Sequence, residues 1–324
     1  MRPFPVFRVV AAVLLLAPGW SGDVRLPLLC PDAEIRAERV SLFKDSPRTR
    51  LGRLTFLGGV ALSSRDPAFG GFSALRVDGD RFTLLSDGGN IVRFRMGPDW
   101  RVRTPSFGMI PAGPGTGWDK RDRDTESFTA DPTTNTTWVG FEGANAIYRF
   151  RGDLAAVTGI VRPRAMRKWS ANSGAESLVR LRDGSFVAIS EAHVVKGRRG
   201  VSAIHFATDP VKAPNRGYRF RYLPPKGYLP TDVAELPDGD LLVINRRFAP
   251  RTLFTARLVR IARHTIRPGA VVRGSEVARF GGDALHDNFE GLAVVQEGGR
   301  TILWIVSDDN QTFFERSLLL KFAL

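Results

Sequence analysis

The sequence predicts an all-β protein that folds as a single β-propeller of five or six four-stranded blades. A short phrase recurs five times: an acidic or small polar residue, a small residue and a hydrophobe, followed about a dozen residues later by a β-rich run. The anchoring hydrophobes lie 53, 50, 55 and 59 residues apart: Leu75, Phe128, Leu178, Val233 and Leu292. Asp-Gly hairpin turns join β-branched and aromatic runs within several copies. A period near fifty with such turns is typical of propeller blades.

The composition agrees with this fold class. The chain has 324 residues, of which 43% are hydrophobic, so it is long and apolar enough to bury a large core. Its 33 Gly and 21 Pro residues supply turns, and no long stretch beyond the N-terminus has apolar residues at helical spacing. We therefore expect one propeller domain over residues 51–324.

The N-terminus resembles an export signal. Arg2 and Arg8 flank the apolar run from Val9 to Ala17, and residues 18–22 form a cleavage region. The run is shorter than the roughly 18 apolar residues that span a bilayer. We expect a signal peptide over residues 1–22, an N-terminal segment over 23–50, and a periplasmic or secreted mature protein without a stable membrane span. A short anchor or a buried strand is the alternative. Cys30 is the single cysteine, so no internal disulfide forms.

The blades follow in chain order. A strand at about Leu51 to Leu62 is predicted to complete a blade begun by the C-terminal strand from Leu318 to Phe322, because a closed ring exposes no sheet edge. A sixth blade, if present, comes from the irregular segment between Glu191 and Pro230. The five copies of the phrase begin the inner strands: Ser73-Ala74-Leu75, Glu126-Ser127-Phe128, Glu176-Ser177-Leu178, Thr231-Asp232-Val233 and Glu290-Gly291-Leu292.

The charge distribution restricts the partners. The formal net charge is +14, and it falls to about +12 without Arg2 and Arg8. This excess suits a small anionic or ester substrate, or an anionic component of the cell envelope. The basic residues are scattered, with no basic helix and no RNA-binding aromatic signature, so we expect no nucleic acid partner. Arginines on edge strands also prevent aggregation between sheets, and we expect a monomer.

Carboxylates occur at equivalent positions of the repeat. Glu126, Glu176 and Glu290 should converge at one mouth of the channel, with Asp232 displaced by one position. The acids at strand ends form a candidate second ring: Asp87, Glu142, Glu191 and Asp308. Crowded carboxylates need a cation, interleaved arginines or raised pKa values, and calcium fits best because it accepts many oxygen ligands in irregular geometry. The alternative is that each acid bonds turn amides and meets no metal.

Two other catalytic patterns fail. The four histidines, His193, His205, His264 and His286, have no metal-ligand spacing, which argues against a zinc site. Residues 71–75 come nearest to a nucleophile elbow but lack its closing glycine, which argues against an α/β serine hydrolase.

Eight short segments carry a family resemblance: 58–62 (GGVAL), 69–75 (FGGFSAL), 85–87 (LSD), 230–232 (PTD), 236–243 (LPDGDLLV), 246–248 (RRF), 287–293 (DNFEGLA) and 307–310 (SDDN). Together they resemble the phytase-like, "esterase-like activity of phytase" group of exported bacterial propellers. The resemblance runs from about Leu54 to Leu324 and implies hydrolysis of a phosphoester or another ester. The charged segment 117–124 precedes the second blade as a substrate-facing lid or a solvated loop.

If the resemblance extends to chemistry, it implies metal-assisted hydrolysis. Calcium would be held by four carboxylates: Glu126, Glu176, Asp232 and Glu290. Asp308 or Asp87 would activate water, and Arg246 and Arg247 would bind a phosphate. Two other functions remain open. One is a non-catalytic module that binds an anionic cell-envelope ligand, and the other is a lactonase-like hydrolase.

Overall fold

The computed structural model of the protein describes Leu28 and residues 34–170, 174–312 and 315–324. The strands within these ranges form five sheets, which lie side by side as the five blades of one propeller. The expected signal peptide and Cys30 lie outside the described residues. The described part of the chain contains no helix long and apolar enough to cross a membrane.

Each blade is a meander of antiparallel strands. The chain begins with β1 (Ile35–Arg39), β2 (Arg50–Leu51) and β3 (Leu54–Ser64). Blade 1 contains β4 (Phe72–Asp78), β5 (Arg81–Ser86), β6 (Asn90–Met96) and β7 (Val102–Met109). Blade 2 contains β8 (Thr125–Asp131), β9 (Thr136–Phe141), β10 (Ala146–Arg151) and β11 (Ala156–Val161). Blade 3 contains β12 (Ser177–Arg180), β13 (Phe186–Ile189), β14 (Val201–Phe206) and β15 (Gly217–Tyr222).

The last two blades follow the same plan. Blade 4 contains β16 (Leu229–Glu235), β17 (Leu241–Ala249), β18 (Leu253–Ile261) and β20 (Ser275–Phe280), while the short β19 (Val271–Val272) pairs with β15 of blade 3. Blade 5 contains β21 (Phe289–Glu297), β22 (Arg300–Ser307) and β23 (Ser317–Ala323). Two short 3-10 helices lie in connections, at Lys120–Arg123 and Arg263–Thr265.

The inner strands β4, β8, β12, β16 and β21 contact one another in a closed ring around the channel. Because the strands of a blade alternate in direction, the inner strands begin, and the second strands end, at the same face of the propeller. We call this the upper face. The opposite face, where inner strands turn into second strands, is the lower face.

Both chain ends build blade 5, as the sequence predicted. β23 pairs with β3 from Ser317 opposite Leu62 to Ala323 opposite Thr55, so the N-terminal strand closes the ring. β1 adds a further strand outside β3, which draws the N-terminal segment onto this blade. The segment between Glu191 and Pro230 supplies β14 and β15 of blade 3. The blade count is therefore five.

Aromatic side chains fill the spaces between blades. Phe82 of blade 1 meets Trp304 of blade 5 edge-on with ring centroids 4.8 Å apart, and Trp138 of blade 2 meets Phe186 of blade 3 at 4.9 Å. Phe289 is fully buried against blade 4. Burial of one such side chain stabilises the fold by roughly 1.5–3 kcal/mol. This packing fixes the blades against one another and so positions the ends of their inner strands.

Candidate functional site

A bulge marks the first residue of the repeated phrase. The pairing of inner and second strands shifts register at Ser73, Glu126, Thr231 and Glu290, and Glu176 stands just before β12. A bulge adds an unpaired residue and re-aims its side chain. The five positions therefore form an inner ring at the upper mouth of the channel, and three of them are glutamates.

The residues that follow the second strands form an outer ring. The backbone N–H groups of Asp87, Glu142 and Asp308 donate to carbonyls two residues before the bulged positions, at 2.8, 2.9 and 2.9 Å. The same register places Glu191 in blade 3, and it places Arg246, opposite Leu229, in blade 4. Four carboxylates and one guanidinium thus occupy equivalent positions.

Hydrogen bonds between inner strands hold the rings in place. The Ser127 hydroxyl donates to the Ala175 carbonyl at 2.7 Å, and the Thr231 hydroxyl donates to the Phe289 carbonyl at 3.1 Å. Asp232 accepts from the backbone N–H groups of Val233 and Leu292, both at 2.7 Å. Asp232 therefore links blade 4 to blade 5 through backbone amides of the inner strands β16 and β21. The alternative left open by the sequence was a bond to turn amides.

Gly291 allows the inner strands of blades 5 and 1 to approach each other. A Cβ atom at this position would lie 2.6 Å from Val306 Cγ1 and 3.1 Å from the Leu75 backbone nitrogen. A side chain here would push the two blades apart. Gly291, the small residue of the repeated phrase in blade 5, is thus needed for close packing of blades 5 and 1.

Two groups of three carboxylates form at the mouth. One oxygen from each of Asp124, Glu126 and Glu142 lies within 4.8 Å of the other two, and the same holds for Glu142, Glu176 and Glu191. Glu142 belongs to both groups. Glu126 and Glu176 are only 9% and 6% exposed. The mouth therefore concentrates buried negative charge where an all-oxygen donor set could hold a hard cation.

The pKa values reflect this crowding. Burial, and then the Glu176 charge, raise the pKa of Glu126 well above its usual value. Burial and the Glu191 charge do the same to the pKa of Glu176. Burial and the Asp124 charge raise the pKa of Glu142 to about 7. Without a cation, Glu142 therefore takes up a proton near neutral pH.

Arg246 provides positive charge within the outer ring. Its Nη1 donates to Glu290 Oε1 at 2.5 Å and to Asn288 Oδ1 at 2.8 Å, and its Nη2 donates to Glu191 Oε1 at 2.9 Å. The Arg246 side chain is 22% exposed. The guanidinium therefore holds one acid of each ring, Glu290 and Glu191, and Glu191 is also a member of the second carboxylate group. In the part of the chain that the structure describes, the first group, around Asp124 and Glu126, forms no ion pair with Arg246.

The remaining predicted residues lie at different depths. Asp308 is 4% exposed, and burial followed by the Glu290 charge raises its pKa. The charge of Asp87 also acts on Glu290 and Asp308, so all three lie near one another. Arg247 is exposed at the rim, with its Cδ and Nε about 3.8 Å from where a Cβ of Gly227 would lie.

Asp124 is a site residue that sequence reasoning missed. The sequence placed it in a charged loop, whereas in the structure it lies two residues before Glu126 and joins the first carboxylate group. Asn288 holds the equivalent position before Glu290 and donates to Asp308 Oδ2 at 3.3 Å. The sequence could have indicated this position, because a polar residue stands two positions before the repeated glutamate in both blades.

The loop before Asp124 is built around Asp122. The Asp122 carboxylate accepts from the backbone N–H groups of Thr116 and Gly117 at 2.9 and 2.8 Å. Arg123 is buried and donates to the Pro114 carbonyl at 2.7 Å. Trp118, by contrast, is 82% exposed. Segment 117–124 thus combines an anchored base with a projecting aromatic tip.

A family model described as "Phytase-like: Esterase-like activity of phytase" matches residues 67–311. No curated protein matches the chain. The matched residues run from the connection before blade 1 to the connection after β22, and so include both rings.

Solved structures similar to this chain are distant. The nidogen/laminin complex contains a chain that is 10% identical, with a TM-score of 0.44 over 85% of this chain and 97% of that chain. A GH43 β-1,3-galactosidase with galactodeoxynojirimycin is 11% identical, with a TM-score of 0.42 over 73% and 92%. The glutaminyl cyclase of Myxococcus xanthus is 11% identical, with a TM-score of 0.42 over 79% and 92%. These likenesses say nothing about the activity of this chain.

Proposed function

The chain belongs to the phytase-like family, and from this premise we propose that its upper mouth is a calcium-dependent active site that hydrolyses a phosphoester or another ester. The observation that carries the proposal is the pair of carboxylate groups that share Glu142. Eight carboxylates, those of the two rings and Asp124, surround one ring guanidinium. Such an excess of buried like charge is costly unless a cation compensates it.

The donor set fits calcium. All the candidate ligands are carboxylate oxygens, and the described residues donate no hydrogen bond to the buried Glu126 carboxylate. Calcium accepts six to eight oxygens in irregular geometry, whereas zinc prefers nitrogen and sulfur ligands. A bound cation would supply Lewis acidity for a phosphoryl or carbonyl oxygen. Glu126 and Glu176 remain the proposed ligands from the sequence, and Glu142, Asp124 and Glu191 join them.

Glu290 and Asp232 are the two other sequence-proposed ligands. Glu290 holds Arg246 at the edge of the site, and from there it can move toward a cation only by releasing that guanidinium. Asp232 is bound to two backbone amides, so we assign it to positioning the strand that carries Thr231. We therefore propose that the ion lies nearer to Glu142 than to Asp232.

Asp87 and Asp308 are proposed to accept a proton from the attacking water. Both follow second strands and lie beside Glu290 at the mouth. Burial raises the pKa of Asp308, which makes its carboxylate a stronger base and suits it to hold that proton. Arg247, exposed at the rim, is proposed to bind an anionic group of the substrate through its guanidinium fork. Arg246 instead keeps Glu191 and Glu290 in position.

Hydrolysis assays with matched variants test this function. The substrates are p-nitrophenyl phosphate, p-nitrophenyl acetate and a sugar lactone, each with calcium and with a chelator. We expect calcium-dependent turnover that falls at least tenfold in Glu142→Gln. Glu235→Gln is the control, because Glu235 is a partly buried acid of the lower face that accepts from the Arg182 backbone N–H at 2.8 Å.

The outcomes separate the candidate functions. Turnover of the lactone alone would favour the lactonase-like alternative. Equal turnover in chelator would remove the metal from the reaction. If the parent protein hydrolyses none of the three substrates, the proposal fails and the non-catalytic module for an anionic envelope ligand takes its place.

A further inference from the structure

Exposed apolar side chains are concentrated on one face of the propeller. Ten large hydrophobic residues are exposed among the described residues. Seven lie at upper-face strand ends or connections: Met109, Trp118, Val194, Val195, Leu229, Phe248 and Leu253. Ile160 and Val271 lie near the upper ends of outer strands at the rim of the propeller, and Leu324 ends the chain at the lower face. Scattered surface hydrophobes need no explanation, but clustering at one face indicates a contact surface.

The most exposed of these residues form three projecting tips. Trp118, 82% exposed, lies in the connection between blades 1 and 2. Val194 and Val195, both about half exposed, lie between β13 and β14. Phe248 and Leu253, 58% and 50% exposed, flank the turn between β17 and β18. Separate convex tips suit a soft partner into which they can insert, whereas a rigid protein partner would need matching pockets.

Basic residues accompany the tips. Lys196, Arg198 and Arg199 follow the two valines, and Arg247 and Arg251 lie in the β17–β18 hairpin. None of these five forms an ion pair with a described residue. Apolar tips between unpaired basic residues are the features of a surface that lies on an anionic lipid bilayer.

A basic cavity opens beside the valine tip. It has a volume of about 880 Å³ and is lined on its charged side by Arg164, Arg167, Lys168, His193, Arg198, Arg219 and Arg221. No described carboxylate lines it. Its volume and charge suit the headgroup of an anionic phospholipid, with the guanidinium groups as donors to the phosphate.

We propose that the upper face binds the surface of an anionic lipid bilayer. The Trp118, Val194–Val195 and Phe248–Leu253 tips enter the interfacial layer, and the basic residues beside them contact lipid phosphates. The carboxylates of the mouth are buried, while the tips are exposed, so the tips reach the lipid first. This orientation turns the channel mouth toward the bilayer. The inference does not depend on hydrolysis, because it rests on exposed residues outside both rings.

Vesicle co-sedimentation of the full chain tests the proposal. The vesicles contain phosphatidylcholine alone or with 30% phosphatidylglycerol, in calcium buffer at low and high salt. We expect at least tenfold tighter binding to the anionic vesicles, weakened by salt. The double variant Phe248→Ser/Leu253→Ser should lose at least tenfold in affinity. The control Leu324→Ser removes an exposed apolar side chain of the lower face and should bind like the parent.

A second measurement covers variants that fold poorly. Brominated lipids should quench part of the tryptophan fluorescence of the parent, and Trp118→Phe should remove that part while it still binds vesicles. The proposal is overturned if the tip variant binds like the parent, or if the tip variant and the Leu324→Ser control lose affinity equally. It is also overturned if the parent does not bind vesicles but self-associates through the tip residues in sedimentation velocity. The upper face would then be an interface between two copies of this chain.

Discussion

The two ends of the five inner strands differ in how their acidic side chains are balanced by arginines. At the lower face, acids pair with arginines of neighbouring blades: Arg180 lies 3.0 Å from Asp131, and Arg182 lies 3.3 Å from Glu235. At the upper face, the rings combine seven carboxylates with Arg246, and Asp124 adds an eighth carboxylate. The lower face shows that this fold can balance each acid locally. The excess at the upper face therefore serves something other than folding, and sites that break local rules are where function is expected.

The largest effect should come from removing the arginine of the outer ring. Arg246→Met leaves Glu191 and Glu290 buried without their guanidinium, and breaking a buried ion pair costs about 3–5 kcal/mol. We expect a loss of that size in the unfolding free energy at pH 7.5, measured by urea denaturation with a chelator present.

The matched lower-face change is Arg182→Met. Arg182 is 58% exposed, and an exposed pair contributes about 1 kcal/mol or less. A similar loss in both variants would show that the two faces do not differ in charge balance.

The pH dependence should also differ between the faces. The folded protein holds the pKa of Glu142 at about 7, against 4.5 ordinarily, because of burial and the Asp124 charge. The native state therefore binds more protons than the unfolded state between these values, and stability falls as pH rises through this window. We expect the midpoint of thermal unfolding in chelator to drop by about 5 °C from pH 5 to pH 8.

Calcium should remove most of this pH-dependent drop in the unfolding midpoint, since a bound cation replaces the lost protons.

At the lower face, the hydrogen bonds from Thr133 and the Arg180 charge outweigh burial and lower the pKa of Asp131. Its contribution is present above its ordinary pKa and is lost as pH falls below it. A midpoint that is flat from pH 5 to pH 8 in chelator would contradict the charge excess at the upper mouth.

Neutralising one crowded glutamate should stabilise the protein when no cation is present. Glu176→Gln removes a charge that repels Glu191 and Glu142, and we expect a gain of about 1 kcal/mol at pH 8, the size common for stabilising substitutions. Urea denaturation in chelator measures it. Glu235→Gln, at the lower face, should instead lose stability because Glu235 accepts from Arg182; a gain there too would mean that the assay does not report crowding.

The smallest effect on stability should come from the rim. Arg247→Ala removes an exposed guanidinium and should change the unfolding free energy by less than about 0.5 kcal/mol. We expect a KM for an anionic substrate that is several-fold higher, with calcium affinity unchanged. A weaker calcium affinity in this variant would place Arg247 in the cation site.

Most of the fold could be predicted from the sequence repeat. The spacing of about fifty residues between Leu75, Phe128 and Leu178 predicted the blades, and the strand patterns at the two chain ends predicted the closure of blade 5. The sequence left the blade count open because residues 191–230 lack the phrase. They form the two outer strands of blade 3, which need no phrase because they do not line the channel.

Side-chain direction was harder to predict than position. Arg246 was expected to bind substrate because it follows a strand. The register across blade 4 instead places it in the ring of acids, where it meets Glu290. Asp124 was not predicted because it belongs to a charged segment that is typical of a solvated loop. The structure places its carboxylate beside Glu126, at the bulge of β8. Both facts depend on one-residue shifts between strands, and such shifts decide which way every side chain points.

The central claim, that the upper mouth gathers carboxylates for a cation, is tested most directly by calorimetric titration of calcium into the purified protein. The account predicts saturable binding in the parent, at least tenfold weaker binding in Glu142→Gln because both carboxylate groups lose their shared member, and unchanged binding in Glu235→Gln. Absence of calcium binding in the parent, or equal binding in Glu142→Gln, would contradict it.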